Sequence, residues 1–435
     1  MSKFIPIKRE QFEGNVKYYG TEKEVLVPLE YKELDEELRG VWVSTVGNID
    51  IPRNVGEEKL KEYLISILEK LKEYHMNTAV FQVRPTSDAL YKTDKNPWSD
   101  VLTGVQGKDP GFDVLEFFVN EAKKRNISVH AWINPYRVSG VKLDDLRVTK
   151  DEYLETLAPN NFARLRKDLV ILTRDSKMIF DPASTEVMEF VSDTVLEIAK
   201  NYDVKAVHID DYFYPYDPIR DPFEYDKMKK AGFNDVSDFR RDNVNRMIEL
   251  IHNKLETLDK KVEFGISPFG IYRTNIEFAG EETGEQLWEK GSNNHANCCT
   301  NYKDLYADIY VWMKNGWIDY VMPQNYFDFD NTTLDKDGNE VCRVRYADLA
   351  VWWSNICKET NTKLYMGQAM YRYGRDCNWV NPDEIPNQLK FNQTLGNVKG
   401  TCFFTYRDFV SERNPVLVEG RNRLKSLWTK EIKDI

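Results

Sequence analysis

Long apolar runs, histidine, cysteine and an excess of basic charge are all scarce in this chain, and each scarcity removes a class of function. No part of its 435 residues forms an apolar run approaching the ~18 that a membrane helix needs, so no transmembrane segment is expected. Lys and Arg number 60 against 71 Asp and Glu, a formal net charge of -11. Binding a phosphate backbone takes clustered Lys and Arg, so neither nucleic acid nor an anionic membrane surface is the expected partner. Residues 1–10 are charged but carry no apolar core of the ~7–15 residues typical of a secretory signal, which predicts a cytoplasmic chain.

Histidine occurs only at 75, 130, 208, 252 and 295. His75 falls at a helix end, His252 within a helix and His130 at the start of a strand, so a histidine-rich metal site is not expected and no cofactor is assigned. Cysteines stand at 298, 299, 342, 357, 377 and 402 with no CxxC pair. A chain this long needs no covalent staples and adjacent Cys298 and Cys299 rarely bridge each other, which predicts free thiols. No GxGxxG or GxxxxGK[ST] turn follows any apolar run, so a nucleotide fold would lack its phosphate cradle.

What the chain does have is alternation. Residues 1–38 are charged with short apolar patches and read as an N-terminal extension. From 39 to 435, apolar or aromatic strand-like runs fall at 40–46, 78–83, 128–134, 206–213, 262–268, 319–326, 364–370 and 401–406. Helix-period segments separate them: 57–73, 114–124, 184–200, 236–258, 302–314, 345–359, 382–389 and 415–428. Nearly continuous apolar strands alternating with helices predict an α/β fold, a (β/α)8 TIM barrel closed by parallel strands, over an open doubly wound sheet. Two inserts interrupt the repeat, 139–181 and 270–301. The first contains a hairpin turning at 174–177, and both are expected to border the site because loops of this length are usually functional.

In such a barrel the chemistry sits where strands end. The fourth run ends in Asp210-Asp211-Tyr212, and adjacent carboxylates there are costly unless hydrogen-bonded or solvated in a cleft. Alternation places Ala206, His208, Asp210 and Tyr212 on one face, with Val207, Ile209 and Asp211 on the other. The other ends supply Arg84, Trp132, Asn134, Tyr136, Gln324, Asn325, Tyr326, Tyr371 and Tyr406. Aromatic faces pack on sugar rings, amides and Arg bind hydroxyls, and carboxyl groups protonate a leaving oxygen. Taken singly, Arg84 also reads as a structural ion-pair partner, Asn134 as a turn cap, Trp132 as core, and His208 as a hydrogen-bonded neighbour of Asp210.

Several strings bear a resemblance to a known family. Arg39-Gly-Val-Trp-Val-Ser-Thr45, Phe81-Gln-Val-Arg-Pro85, His130-Ala-Trp-Ile-Asn-Pro-Tyr-Arg137, His208-Ile-Asp-Asp-Tyr-Phe-Tyr-Pro215 and Phe264-Gly-Ile-Ser-Pro-Phe-Gly-Ile-Tyr-Arg273 resemble the glycosyl hydrolase-like family 10, a bacterial group of TIM-barrel proteins. The resemblance covers most of 39–410. It implies a glycosidase acting on carbohydrate, with peptide-stripped peptidoglycan glycan as the substrate of some members, and it gives Asp210 and Asp211 the catalytic role. Arg273 joins the expected substrate-binding set through the same string. Many members of the family are exported, in contrast to the cytoplasmic location read from residues 1–10.

Two carboxyl groups across a bond must lie about 5–5.5 Å apart for retention or about 6.5–9.5 Å for inversion, and adjacent residues on one strand rarely bracket a bond. Asp328 is the expected distant partner. The favoured expectation is substrate assistance: the sugar's own N-acetyl group attacks, Asp211 acts as general acid, Asp210 orients the acetamide and Tyr326 assists. The competing expectation makes Asp210 a nucleophile and Asp328 the acid. Two readings from other classes are a sugar-binding barrel without catalysis and a metal-dependent carbohydrate deacetylase built on His208 and Asp210.

Overall fold

A computed structural model describes residues 3–275, 291–375 and 379–434. Its centre is a closed barrel of eight parallel strands: β1 (Leu38–Val43), β2 (Thr78–Arg84), β3 (Ser128–Ile133), β4 (Ala206–Ile209), β5 (Glu263–Ile266), β6 (Tyr320–Val321), β7 (Lys363–Gln368) and β8 (Val398–Phe403). Neighbours in sequence are neighbours in the barrel, and β8 pairs with β1 through Gly400 and Leu38, which rules out the open sheet. The helices outside are α1 (Glu57–Glu73), α2 (Val114–Lys123), α3 (Thr185–Asn201), α4 (Val236–Leu255), α5 (Ile309–Lys314), α6 (Tyr346–Thr360), α7 (Glu384–Leu395) and α8 (Pro415–Leu427). Side chains that accept backbone N–H bonds start several of them, among them Asp113, Ser184, Asp235 and Asn414.

Strand alternation sorts the core into two layers. Leu38, Trp42, Val80, Trp132, Ala206, Tyr320 and Tyr365 fill the barrel, while Val41, Phe81, Val207 and Ile209 face the helices. Two glycines make the interior possible. A Cβ on Gly265 would lie 1.8 Å from the Tyr320 ring, and one on Gly367 would lie 2.7 Å from the Pro323 carbonyl oxygen and 3.1 Å from the Trp42 indole. These rings therefore occupy space that any other residue would fill.

Three expected elements end differently. The sixth strand is short because Pro323 cannot donate to the ladder, although its carbonyl accepts Gly367 N–H at 2.9 Å. The fourth leaves the barrel after Ile209 instead of continuing to 213. The helix expected over 302–314 breaks into Asn301–Asp304 and α5: Tyr306 has φ of 53°, and Asp308 restarts the helix by capping Val311 N–H.

Additions surround the barrel. Phe4–Pro6 pairs with Leu26–Pro28, and Val16, Val25 and Val27 of the N-terminal stretch are fully buried in the outer core. The first insert holds three short helices and the hairpin Val170–Thr173 with Met178–Phe180. The second insert, 270–301, falls partly outside the described residues, as does Cys377. The five described cysteines are free thiols. Among the described residues no helix is long and apolar enough to cross a membrane.

Candidate active site

Asp210 and Asp211 lie just past the last residue of β4, where Ser267 N–H of the next strand still bonds to the Ile209 carbonyl at 2.8 Å. The chain then turns: Phe213 N–H bonds back to the Asp211 carbonyl at 3.1 Å, and Tyr212 N–H donates to the Asp210 carboxylate at 3.2 Å. Because the backbone is no longer extended, strict alternation stops. Both acids line one cleft of 670 Å³ at the barrel mouth. Each is almost fully buried, at 6% and 5% exposure.

The two acids have different partners. Asn134, just past the end of β3, donates its side-chain amide to both Asp210 oxygens at 3.1 Å. The buried indole N–H of Trp132 makes no well-formed hydrogen bond but faces Asp210 closely enough to stabilise its charge. Asp211 instead accepts a short hydrogen bond from the Tyr216 hydroxyl and is stabilised by the Gln324 amide. Burial pushes both carboxyl groups above the ordinary carboxylate range, and the Asp211 charge pushes Asp210 up further. The Arg137 guanidinium works against both shifts. As a coupled pair the acids hold a proton at a pH where free carboxylates are ionised, the condition for general acid catalysis.

Aromatic rings form the rest of the wall. Trp42 meets Tyr326 edge-on with centroids 6.5 Å apart, and Tyr326 meets Tyr371 at 5.8 Å and Phe404 at 6.0 Å. Beneath them runs a buried chain of polar groups. The Trp42 indole N–H donates to His208 Nε2 at 3.3 Å, so the His208 proton sits on Nδ1 and is donated to the Tyr320 hydroxyl at 3.0 Å. Tyr320 then donates to His130 Nδ1 at 2.8 Å. Burial holds both imidazoles in the neutral form, with His130 lowered to about 3.

Of the expected site residues, Asp210, Asp211, Trp132, Tyr212, Gln324, Tyr326 and Tyr371 all line the cleft. Asn134 lies behind Asp210 as its hydrogen-bond donor. The structure places the others away from the cleft. Asp328 does not reach the cleft: its carboxylate accepts the Asn331 N–H and faces Glu384. Arg84 is fully buried and holds the Asn134 carbonyl at 2.6 Å and Asn96 at 3.1 Å, so it braces the β3 end and is out of substrate reach. His208 has both ring nitrogens engaged below the floor and no hydrogen bond to Asp210, which also removes it as a metal ligand with that acid. Asn325 turns back to donate to the Tyr346 carbonyl at 3.1 Å. Arg273 covers the Tyr302 ring at 4.1 Å, and Tyr406 packs outward against Tyr63 at 6.3 Å. The Tyr136 hydroxyl is buried near Tyr214 and Asp181, and the residue lines a smaller pocket beside the cleft instead of the cleft itself.

Sequence reasoning placed Arg137 at the end of the third strand without a role and missed Trp42, Tyr216, Lys177 and Phe404; all five line the cleft. Trp42 was detectable: it shares the inward phase of β1 with Gly40 and Ser44. The others follow their strands by turns whose direction no periodicity encodes. Lys177 sits at the hairpin turn of the first insert, which therefore borders the site as expected. A larger concavity of 1100 Å³ lies at the opposite end of the barrel, lined by Lys205 and Lys261 ahead of their strands, away from the acid pair.

Comparisons with known proteins bear on the family and the fold. The family model described as Glycosyl hydrolase-like 10 matches residues 37–382. Glycosyl hydrolase YngK of Bacillus subtilis (strain 168) is 37% identical over 391 residues, covering 88% of this chain and 70% of that protein. Glycosyl hydrolase DigH of Escherichia coli O6:H1 is 31% identical over 423 residues, covering 92% of this chain and 89% of its own. Among solved structures, the PgaB (BpsB) glycoside hydrolase domain from Bordetella bronchiseptica superposes with a TM-score of 0.52 at 10% identity, covering 89% of this chain and 99% of that domain. At that identity the likeness is one of fold.

Proposed function

The chain belongs to the glycosyl hydrolase-like 10 family, and from that premise we propose that its cleft hydrolyses the O-glycosidic bonds of an N-acetylated amino-sugar polymer, denuded peptidoglycan glycan being the substrate that the family resemblance implies. The observation that carries this reading is the acid pair itself. Asp210 and Asp211 are buried together in an aromatic cleft, one held by an amide and the other by a phenol. They are also the only carboxyl groups among the described residues that line it.

Carboxyl groups on neighbouring residues do not bracket a glycosidic bond, which favours a nucleophile supplied by the substrate. In the first step the acetamido oxygen bonds to the anomeric carbon while the bond to the leaving oxygen breaks. Asp211 gives its proton to that oxygen. Asp210, fixed by Asn134, accepts the acetamido N–H and offsets the positive charge that develops on the ring formed. In the second step water attacks the anomeric carbon, Asp211 takes its proton, and the acetamide is restored. Tyr326 lies at the cleft wall within the field of both acids and assists by orientation.

The test is incubation with denuded peptidoglycan glycan, with mass spectrometry of the products and a thiazoline analogue of the cyclised acetamide as inhibitor. Shortened glycans and competitive inhibition by the thiazoline are expected. A covalent glycosyl-enzyme trapped by a fluorosugar would overturn substrate assistance, and glycan binding without any product would leave a carbohydrate-binding barrel.

A further inference from the structure

Beside the main cleft lies a lateral pocket of 140 Å³, and Arg137, Lys177, Tyr212 and Tyr216 line both. At about 30 Å³ per water the lateral space holds roughly four or five water-sized groups, enough for a substituent and too little for a second sugar ring. Its inner wall includes Met178, Ile179 and Phe213. Among the four residues that line both spaces are two cations, Arg137 and Lys177, while Asp175 and Asp217 line the lateral pocket alone.

Arg137 is fixed for recognition. Its guanidinium lies 4.5 Å over the Tyr212 ring and donates to the Pro85 carbonyl at 3.2 Å. No described carboxylate forms an ion pair with it, although two buried acids stand nearby. A stacked guanidinium retains free donors in one plane, the geometry that binds a carboxylate through two hydrogen bonds. Lys177, which lines the same two spaces, pairs with Asp175 at 2.9 Å, and Asp175 is also held by Lys142 at 3.3 Å. Asp175 thus carries two cations, so Lys177 keeps charge to share.

We propose that Arg137 and Lys177 form a carboxylate subsite, which takes a carboxylate-bearing substituent of the sugar into the lateral pocket and so selects anionic amino-sugar polymers; the inference rests on the glycosidase reading above. A carboxylate placed there also offsets the Arg137 charge that holds Asp210 and Asp211 down, favouring the protonated acid when the right sugar is bound.

The experiment measures binding and cleavage separately. An Asp211→Asn protein is titrated calorimetrically with denuded peptidoglycan glycan and with the same glycan after its carboxyl groups are converted to amides. Amidation is expected to weaken binding roughly tenfold to a hundredfold, the scale of a charge-assisted hydrogen-bond pair. Arg137→Gln in the same background should shrink that ratio below about threefold, and Lys177→Met, at a half-buried position of the hairpin turn, should reduce it by at least about threefold. Equal binding of the two glycans overturns the proposal, as does an unchanged ratio in both variants. Intact discrimination in a wild-type protein that cleaves neither glycan supports the subsite and counts against the hydrolase reading alone.

Discussion

Two buried carboxyl pairs stand about the same barrel, and only one opens onto the cleft. Asp210 and Asp211 open onto a 670 Å³ cleft, while Asp328 and Glu384 lie in the outer layer between the loop after β6 and the start of α7. Exposure does not separate them: the four are 6%, 5%, 3% and 6% exposed. Nor does the direction of proton affinity, since burial and the Asp328 charge push Glu384 well above its ordinary range. What differs is the company. Glu384 accepts Phe329 N–H at 2.9 Å and the Gln388 amide at 2.8 Å, and Asp328 accepts Asn331 N–H, so the outer pair is spent on holding backbone. The mouth pair faces open space with aromatic walls. A raised carboxyl group marks a catalytic site only when a substrate can reach it.

The contrast breaks most directly by removing one acid from each pair. Asp211→Asn should lower kcat by roughly 10²–10⁴-fold, the range for a lost general acid. Asp328→Asn should change kcat of the folded protein by less than about threefold, measured as reducing ends released; equal losses would erase the distinction.

Stability separates the pairs with the opposite sign. Asp210→Asn removes a group whose folded-state proton affinity is raised, so the wild-type contribution is full below the unfolded pKa of about 4 and is lost as pH rises through the folded value. The variant should therefore gain about 0.5–2 kcal/mol at pH 8 and progressively less toward pH 4 in urea melts, while losing activity. Glu384→Ala should instead lose about 1–3 kcal/mol by stranding Phe329 N–H and Gln388. A stabilised Glu384→Ala would mean that the outer pair is under the same strain as the mouth.

The smallest effect sharpens the roles inside the mouth pair. Asn134→Ala removes donors to ionised Asp210 and should raise its pKa further. Activity that needs ionised Asp210 should then rise at higher pH, moving the acidic limb of kcat upward by about half a unit to one unit. An unmoved limb would transfer the titration to Asp211.

Much of this was legible from residues alone. Regular spacing of Leu60, Leu64, Leu68 and Leu71 marks α1 to its observed ends, and the hairpin at 170–180 turns where its polar residues stand. The acids at the end of β4 were identifiable because charge is expensive beside Val207 and Ile209. Asp328, Asn325 and Tyr406 stand away from the cleft for one shared reason: each lies beyond the last residue of its strand. There, an Asx-type contact to Asn331, a backward bond to the Tyr346 carbonyl or packing on Tyr63 sets the direction of the side chain.

The sequence by itself determined the repeated strand and helix, the closed barrel and the adjacent acids, because hydrophobic period and charge cost are properties of neighbouring residues. Tertiary structure decided which polar side chains share the cleft. It buried Arg84 and His208 as supports, turned Asp211 toward Tyr216, and brought Lys177 of the insert to the same cleft as Arg137. Those outcomes depend on turns and on contacts between distant segments, where the two-residue period that organises a strand has no force.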